Sequence, residues 1–460
     1  MMSNRSNKLS IPFKIAFSFF IVIIIGSILL SLPISQVSTS EATYFDHLFT
    51  AVSAVCVTGL YTQPVYLTYN LFGQAVFIIL MKLGGLGLLT IVASIFLKFK
   101  EGIGLDQSIT LTEALNRVDL TNFQEFLFMI IKFTLILESL GAFFLTFVFV
   151  PIHGWGKGVF TSIFMAVSAF NNAGFDNFGT ESLQQFATNP IITIVIPTLI
   201  ISGGLGFSVW FDLRENFKKH ISSRRVAGFR SNYTKLALHT KLVLNMTLFL
   251  LVFGTLLFLW TEWSNDLTIG QYTFIDKLQT SFFQSATMRT AGFSTVNFTM
   301  IYSSSFILFY VLMFIGGSPG GTAGGVKTAS VMLIYYIIKS EITQSKYITY
   351  KNHTIDRQVA KKALVIGTTF IVLVLFGSFM IAIFDHGVML EYIIFEVISA
   401  LGTVGVSADL TPTLSKWSQC LLMIYMFIGR LGPITAFTAL QIKRRKRIDI
   451  QYAKGDILIG

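Results

Sequence analysis

The chain is short of charge. Asp, Glu, Lys and Arg make up only 12% of its 460 residues, about half the share that a soluble domain carries, while 53% of the residues are hydrophobic. Length alone would suggest about three domains, but so little polar surface would not keep them in water. Cysteine is scarce as well. Cys56 and Cys420 stand in different apolar segments, which excludes a disulfide framework and any cysteine metal-ligand spacing. No A-x-A pattern follows the uncharged run from Ile15 to Leu32. Arg5, Lys8 and Lys14 precede that run as they would in a signal peptide, yet its length reads as a retained first membrane span. Nor is there an H-E-x-x-H motif, a pair of aspartates, or Ser with His at membrane depth, so the chain is not expected to be an intramembrane enzyme. What remains is a polytopic, all-α integral membrane protein.

The net charge of +11 would suit nucleic acid, but its placement excludes that partner. With both termini cytoplasmic, the inner loops hold the basic clusters Arg214–Lys219, Arg224–Arg230, Lys339–Lys362 and Lys443–Arg447. The outer loops then hold ten acids, among them Asp46, Asp176, Glu181, Asp276, Glu391 and Asp409, against three bases: Lys157, Lys277 and Lys416. An inner excess of Lys and Arg is the usual orientation signal, and an acidic outer face raises the local cation concentration.

Four segments repeat one pattern of small residues ending in glycine: Ser53–Gly59, Ser168–Gly174, Ser285–Gly292 and Ser399–Gly405, the third with one extra residue. The glycines are 115, 118 and 113 positions apart. A second glycine cluster follows each at Gly84, Gly203, Gly316 and Gly429, after 25, 29, 24 and 24 positions. Two markers that stay in step four times define four units, 1–98, 99–213, 214–340 and 341–460.

Each unit offers two apolar segments long enough to cross, eight in all, near 11–32, 70–97, 126–150, 190–212, 236–261, 304–338, 363–385 and 417–441. Between the members of each pair lies a shorter one, near 45–57, 158–171, 275–288 or 391–402. About 12 helical residues reach only about 18 Å, against a hydrocarbon core of about 30 Å. Such a segment must enter, stop midway and return, which is tolerated only where backbone lines protein or water. Four of them, related by pseudo-symmetry, predict re-entrant pore helices around a central pore. Asp46, Asp276 and Glu391 fall in first turns, where an acid complements the helix dipole and also serves as a plain cap.

A dehydrated cation needs a ring of oxygens at fixed distance, which backbone carbonyls supply. The candidate strands are Val57-Thr58-Gly59, Asn172-Ala173-Gly174, Thr290-Ala291-Gly292 and Thr403-Val404-Gly405, expected to run extended with the cation at their axis. One such triplet is weak, because glycine ends many helices; four at matched depth are strong. The third unit departs from the others. Its second crossing is interrupted by Gly316-Gly317-Ser318-Pro319-Gly320-Gly321-Thr322-Ala323-Gly324-Gly325, followed by Val326 and Lys327. Glycine and proline on this scale cannot serve a helix, so the run reads as a broken helix facing an aqueous cavity. It is not a phosphate-binding loop, since Val326 separates Gly325 from Lys327 and no soluble strand precedes it.

The fourfold pattern, the Arg289-Thr290-Ala291-Gly292-Phe293 segment and the Gly316–Thr328 run resemble the Ktr/Trk/HKT superfamily of potassium-translocating membrane subunits, over essentially the whole chain. A first unit that starts near residue 11 favours the Ktr branch, the pore subunit of a bacterial potassium-uptake system. The resemblance implies a homodimer in the plasma membrane, surrounded by lipid, with one pore per subunit and a separate cytosolic ring that binds nucleotide. It implies that Gly316–Gly325 is an intramembrane gate, that Arg430 lines the cavity beneath the filter, and that no cofactor is bound. Four filter glycines favour potassium, since serine at the first marks sodium-preferring members.

Among intramembrane ionisable groups, whose cost makes function the default reading, Arg430 stands level with Gly316. Arg289 and Glu396 are expected to form a structural ion pair behind the filter, because a buried arginine needs a partner. Lys327 either ends the gate or snorkels to the inner interface. Glu138 receives no role, and His47, His153 and His386 read as surface or interface residues. A sodium- or proton-coupled symporter on the same architecture stays open, with Na+ as a coupled or activating ion. A receptor or scaffold would not need matched glycines.

Overall fold

The computed structural model describes residues 11–87, 123–179, 181–222 and 233–439. Apolar runs fold as helices because only a helix satisfies its own backbone within one segment. In chain order they are α1 (Ile11–Ser31), α2 (Tyr44–Cys56), α3 (Leu71–Leu86), α4 (Phe123–Asn171), α5 (Pro190–Gly204), α6 (Phe207–Ser222), α7 (Leu238–Thr261), α8 (Phe274–Thr287), α9 (Ser303–Phe314), α10 (Thr328–Ile342), α11 (Arg357–Phe384), α12 (Leu390–Gly402), α13 (Lys416–Leu431) and α14 (Pro433–Ala439). Side-chain caps place several starts. The Asn70 amide oxygen accepts from Phe72 and Gly73 N–H, and that of Asn189 from Ile191 and Ile192 N–H, with Pro190 at the first helical position.

The order long helix, short helix, interrupted helix recurs along the chain. The first long helix of the second group is continuous with its short one in α4, except that Gly154 breaks the helical backbone with φ 76°. The short helices pack cyclically. α2 lies against α13, the end of α4 against α3, α8 against α5, and α12 against α9, so each touches the interrupted helix of the preceding group. Shared apolar interiors seal these contacts: Phe49 and Phe77 with Leu401 and Leu422, Phe149 and Phe170 with Phe283 and Phe293, and Phe309 with Phe395. Large apolar side chains such as Phe147, Leu256, Ile307 and Phe379 instead cover the outside, far more than a water-soluble surface carries.

The expectation of eight full crossings, broken only in the third unit, needs correction. Among the described residues four helices, α1, α4, α7 and α11, are long and apolar enough to cross a membrane by themselves. The second helix of each group is interrupted: α3 stops at Gly87, α5 and α6 meet at 93° around Gly206, α9 and α10 are separated by the glycine loop, and α13 and α14 meet at 103° around Gly432. Gly87, Gly206 and Gly432 have φ of 79°, 90° and 84°, a region that side-chain-bearing residues adopt at a cost. The sequence pointed to a break only in the third group, where ten residues advertise it; in the others a single glycine suffices. The boundaries set at 213/214 and 340/341 fall inside α6 and α10, because these helices run on past the break. The boundary at 98/99, the cluster Arg224–Arg230 and the tail Lys443–Arg447 lie outside the described residues.

Candidate functional site

The four triplets occupy one kind of corner. α2, α4 and α12 are each followed by a left-handed residue, Val57 (φ 56°), Asn172 (57°) and Thr403 (51°). α8 is followed by two turn residues and then Thr290 (72°). The middle residue returns to negative φ, and Gly59, Gly174, Gly292 and Gly405 are again positive at 110°, 71°, 85° and 92°. The strands are therefore not extended, contrary to expectation. In an extended strand every φ is negative, whereas here its sign alternates along each triplet. Glycine serves the third position because a Cβ there would be strained.

The corners face one another in a closed circuit. A methyl group built on Gly59 would lie 2.8 Å from the Ala173 carbonyl oxygen, on Gly174 2.6 Å from that of Ala291, and on Gly292 2.7 Å from that of Val404. On Gly405 it would strike the Thr58 carbonyl. Each middle carbonyl thus adjoins the glycine of the preceding corner, and the order closes from fourth to first. Among the described residues no hydrogen bond reaches the carbonyl oxygens of Thr58, Ala173, Ala291 or Val404. All four residues are buried. Buried carbonyls without a partner are uncommon, and these four stand in a ring, each beside the marker glycine of the preceding corner.

The marker serines explain how the corners are held. Ser53 Oγ accepts from Gly59 N–H at 3.1 Å, Ser399 Oγ from Gly405 N–H at 3.0 Å and Ser168 Oγ from Phe175 N–H at 2.9 Å. The third corner differs. Its extra residue turns Ser285 outward to the Leu250 and Leu251 carbonyls of α7, and Thr287 ties the corner by donating to the Phe293 carbonyl at 2.8 Å.

Beneath the ring, the Gly316–Gly325 run is a folded loop. Ser318 and Thr322 N–H donate to the Gly204 and Gly203 carbonyls at 2.9 and 3.1 Å, and Phe207 N–H donates to Gly320 at 3.0 Å. Thr322 Oγ1 donates to the Phe170 carbonyl at 3.1 Å. Gly324 lies directly against the Thr403 side chain. The break between α5 and α6 thus forms the seat into which this loop docks. Arg430, from the end of α13, donates to the Thr322 carbonyl of the third unit and to the Gly84 and Gly85 carbonyls of the first. Lys327 folds back onto its own loop, with Nζ 2.6 Å from the Ala323 carbonyl, rather than reaching toward the inner interface.

Two assignments made from sequence are wrong. Arg289 and Glu396 do not pair: Arg289 donates to Thr247 Oγ1 on α7 at 3.3 Å, and Glu396 accepts from Thr411 beyond the fourth corner. They sit behind different corners, held by different helices, and sequence offers no measure of that separation. His47 is not a surface residue; it is buried and 2.9 Å from the Tyr69 hydroxyl. Asp46 closes the α2 capping box with Thr43, accepts from the Thr62 hydroxyl at 2.8 Å and faces Lys416 at 3.6 Å, so its capping role is realised. Asp276 accepts from its cap residue Thr273 at 2.6 Å.

A sequence profile of the TrkH family, described as cation transport proteins, matches residues 3–447. The chain belongs to that family. It is 35% identical over 449 residues to the Ktr system potassium uptake protein B of Bacillus subtilis, covering 98% of this chain and 96% of that protein. It is 36% identical over 467 residues to the potassium/sodium uptake protein NtpJ of Enterococcus hirae, with full coverage of both. Its fold is similar to the crystal structure of the potassium transporter TrkH from Vibrio parahaemolyticus, with a TM-score of 0.69, 17% identity, and coverage of 95% of this chain and 86% of that one.

In this family member the structure gathers outer acids that the sequence showed only as a charged face, and adds an ion pair that sequence reading missed. Above the ring lies a cavity of about 80 Å³ bordered by Tyr61, Asp176, Glu181, Ser407 and Asp409. Burial pushes the Asp176 carboxyl up to about 7, against the backbone amides of Phe178 and Gly179, which pull it down. Below the ring Lys82, never singled out, meets Glu138 at 2.7 Å. An acid recurring at each outer loop was a legible signal for the first; nothing in the sequence pairs Lys82 with Glu138, which are 56 positions apart.

Proposed function

We propose that the chain is the membrane subunit of a bacterial potassium-uptake system, and that K+ crosses through the axis of four pseudo-symmetric units. The observation that carries this reading is the closed circuit of unbonded carbonyls from Thr58, Ala173, Ala291 and Val404 beside Gly59, Gly174, Gly292 and Gly405. Such oxygens replace a hydration shell at fixed geometry. Val57, Asn172, Thr290 and Thr403 start the filter strands at their inner end. The acidic cavity above them concentrates cations.

The Gly316–Gly325 loop is the gate in this reading, held shut by Arg430 and Lys327. A guanidinium at about 6 Å from a passing monovalent cation adds a barrier of about 3 kcal/mol at an effective dielectric of about 20. Opening requires the loop to leave the Gly203 and Gly204 carbonyls together with Arg430. We assign that work to a separate cytosolic nucleotide-binding ring docked on the basic inner loops of a homodimer. Proton coupling has no open carboxylate relay among the described residues, since Glu138 is held by Lys82 and Asn171 and Glu396 by Thr411. Sodium coupling would make the chain a symporter of the same architecture.

Purified protein in liposomes, with a K+ gradient and 86Rb+ as tracer, is expected to show uptake that K+ inhibits and Na+ inhibits far less. Equal inhibition by the two ions defeats the filter assignment. Movement of 22Na+ in step with 86Rb+ would replace the channel-like passage with the symporter.

A further inference from the structure

Glu138 and Lys82 stand at membrane depth and belong to neither the carbonyl ring nor the loop. Glu138 is nearly inaccessible, its side chain 5% exposed, whereas Lys82 keeps 29% exposure. One Glu138 oxygen is 2.7 Å from Lys82 Nζ on α3, and the other accepts from Asn171 Nδ2 at 3.0 Å. Asn171 also donates to the Val167 carbonyl at 2.9 Å and directly precedes the left-handed Asn172 of the second corner. The Asn171 amide lies so close to Gly85 that a Cβ there would strike it. The Gly84 and Gly85 carbonyls at this end of α3 are the ones that accept from Arg430.

We propose that Lys82, Glu138 and Asn171 form a fixed seat that holds the Gly84 and Gly85 carbonyls in place for Arg430, so that breaking the ion pair loosens the gate. This rests on the gate reading of the loop and adds positioning residues outside it. Arg430 shares its donors between the Thr322 carbonyl and the α3 carbonyls. It can brace the loop only while α3 is fixed, and α3 ends one residue after Gly85, at Leu86. The second helix of the first unit is thereby half of the closed state, tied to the base of the second corner through one asparagine.

The unequal burial of the two partners sets the order of effects. Removing one member of a buried pair strands the other charge. Lys82 can turn its ammonium toward water, and Glu138 cannot. Basal 86Rb+ uptake by the full chain alone in proteoliposomes should therefore rise about fivefold or more in Lys82→Met, rise less in Glu138→Gln, and stay raised at about the Glu138→Gln level in the double variant, which relieves the stranded charge but restores no ion pair. Glu138→Gln should add nothing to Arg430→Gln, because both act on one contact, and Rb+/Na+ selectivity should hold throughout. A merely structural pair would lower thermal stability without raising flux or coupling to Arg430. Unchanged basal flux in Lys82→Met and Glu138→Gln, or full additivity with Arg430→Gln, overturns the seat. Should Arg430→Gln itself leave basal flux unchanged, the gate reading fails as well. The neutral double variant remains informative if Lys82→Met does not fold.

Discussion

The carbonyl ring and the glycine loop beneath it are both glycine-rich backbone at membrane depth, yet they treat their polar groups in opposite ways. In the loop six of the ten carbonyls, those of Gly317, Ser318, Gly320, Thr322, Ala323 and Gly324, accept a hydrogen bond, from neighbouring amides, Lys327 or Arg430. In the ring the amides are tied, with Thr58, Ala173 and Val404 N–H each donating to the carbonyl of the corner serine at 2.8 Å. The middle carbonyls of the ring have no such partner. A backbone most of whose acceptors are consumed is built to be a closed structure. One whose donors alone are consumed is built to accept something else. The comparison teaches that glycine content does not distinguish filter from gate; the fate of the carbonyls does.

The largest expected effect attacks the loop side of this contrast. Deleting part of Gly317–Gly324 removes the acceptors of Lys327 and Arg430 and should raise K+ flux about tenfold or more, which is about 1.4 kcal/mol off the barrier, with selectivity kept. Arg430→Gln should move flux in the same direction by less. Tracer uptake in liposomes checks both, and loss of flux in a well-folded deletion would make the loop a structural break.

On the ring side, Gly59→Ser places a Cβ 2.8 Å from the Ala173 carbonyl and 3.2 Å from Gly405 Cα, at a φ of 110°. Discrimination of K+ over Na+ should fall about tenfold, or about 1.4 kcal/mol, as read from competition of Na+ against 86Rb+. Full discrimination in this variant would remove the first corner from the filter.

A finer test separates the corners from one another. Ser53→Ala strands the buried Gly59 N–H and should cost about 1–3 kcal/mol, visible as a lower Tm together with weaker selectivity. Ser285→Ala touches only the α7 carbonyls and should lower Tm less and leave selectivity intact. If the two variants match, the third corner is capped like the others.

The smallest effect belongs to the outer cavity. Because the Asp176 carboxyl is raised to about 7, it is charged at an external pH of 8 and neutral at 6. Uptake at subsaturating K+ should therefore fall about twofold on acidification at low ionic strength, and Asp176→Asn should flatten that profile.

Much of this was legible in one dimension. The marker glycines, the short apolar segments between long ones, the loop at Gly316–Gly325 and the level of Arg430 follow from spacing, since a bilayer imposes length on every segment and glycine adopts the positive φ that ends each corner at least cost. Three things were not legible. The hinges at Gly206 and Gly432 look like ordinary glycines, because one residue suffices to bend a helix that a neighbouring loop then braces. The alternating handedness of the corners was read as extension, because composition does not report the sign of φ for Val57 or Thr290. The ion pairs were misassigned, because Arg289 with Glu396 was matched on depth alone.

By itself, then, the sequence determined that this is a membrane protein with four recurrent short helices, glycine-ended corners and one loop that no helix would keep. Only the tertiary structure decided who meets whom: Ala173 beside Gly59, Thr58 beside Gly405, Lys82 with Glu138, and Arg430 on Gly84 and Gly85. The reason is physical. Local backbone chemistry and the thickness of the bilayer act within a segment and leave their mark in its composition. Contacts between units arise when helices pack around a shared axis, and that geometry has no counterpart in the order of residues along one chain.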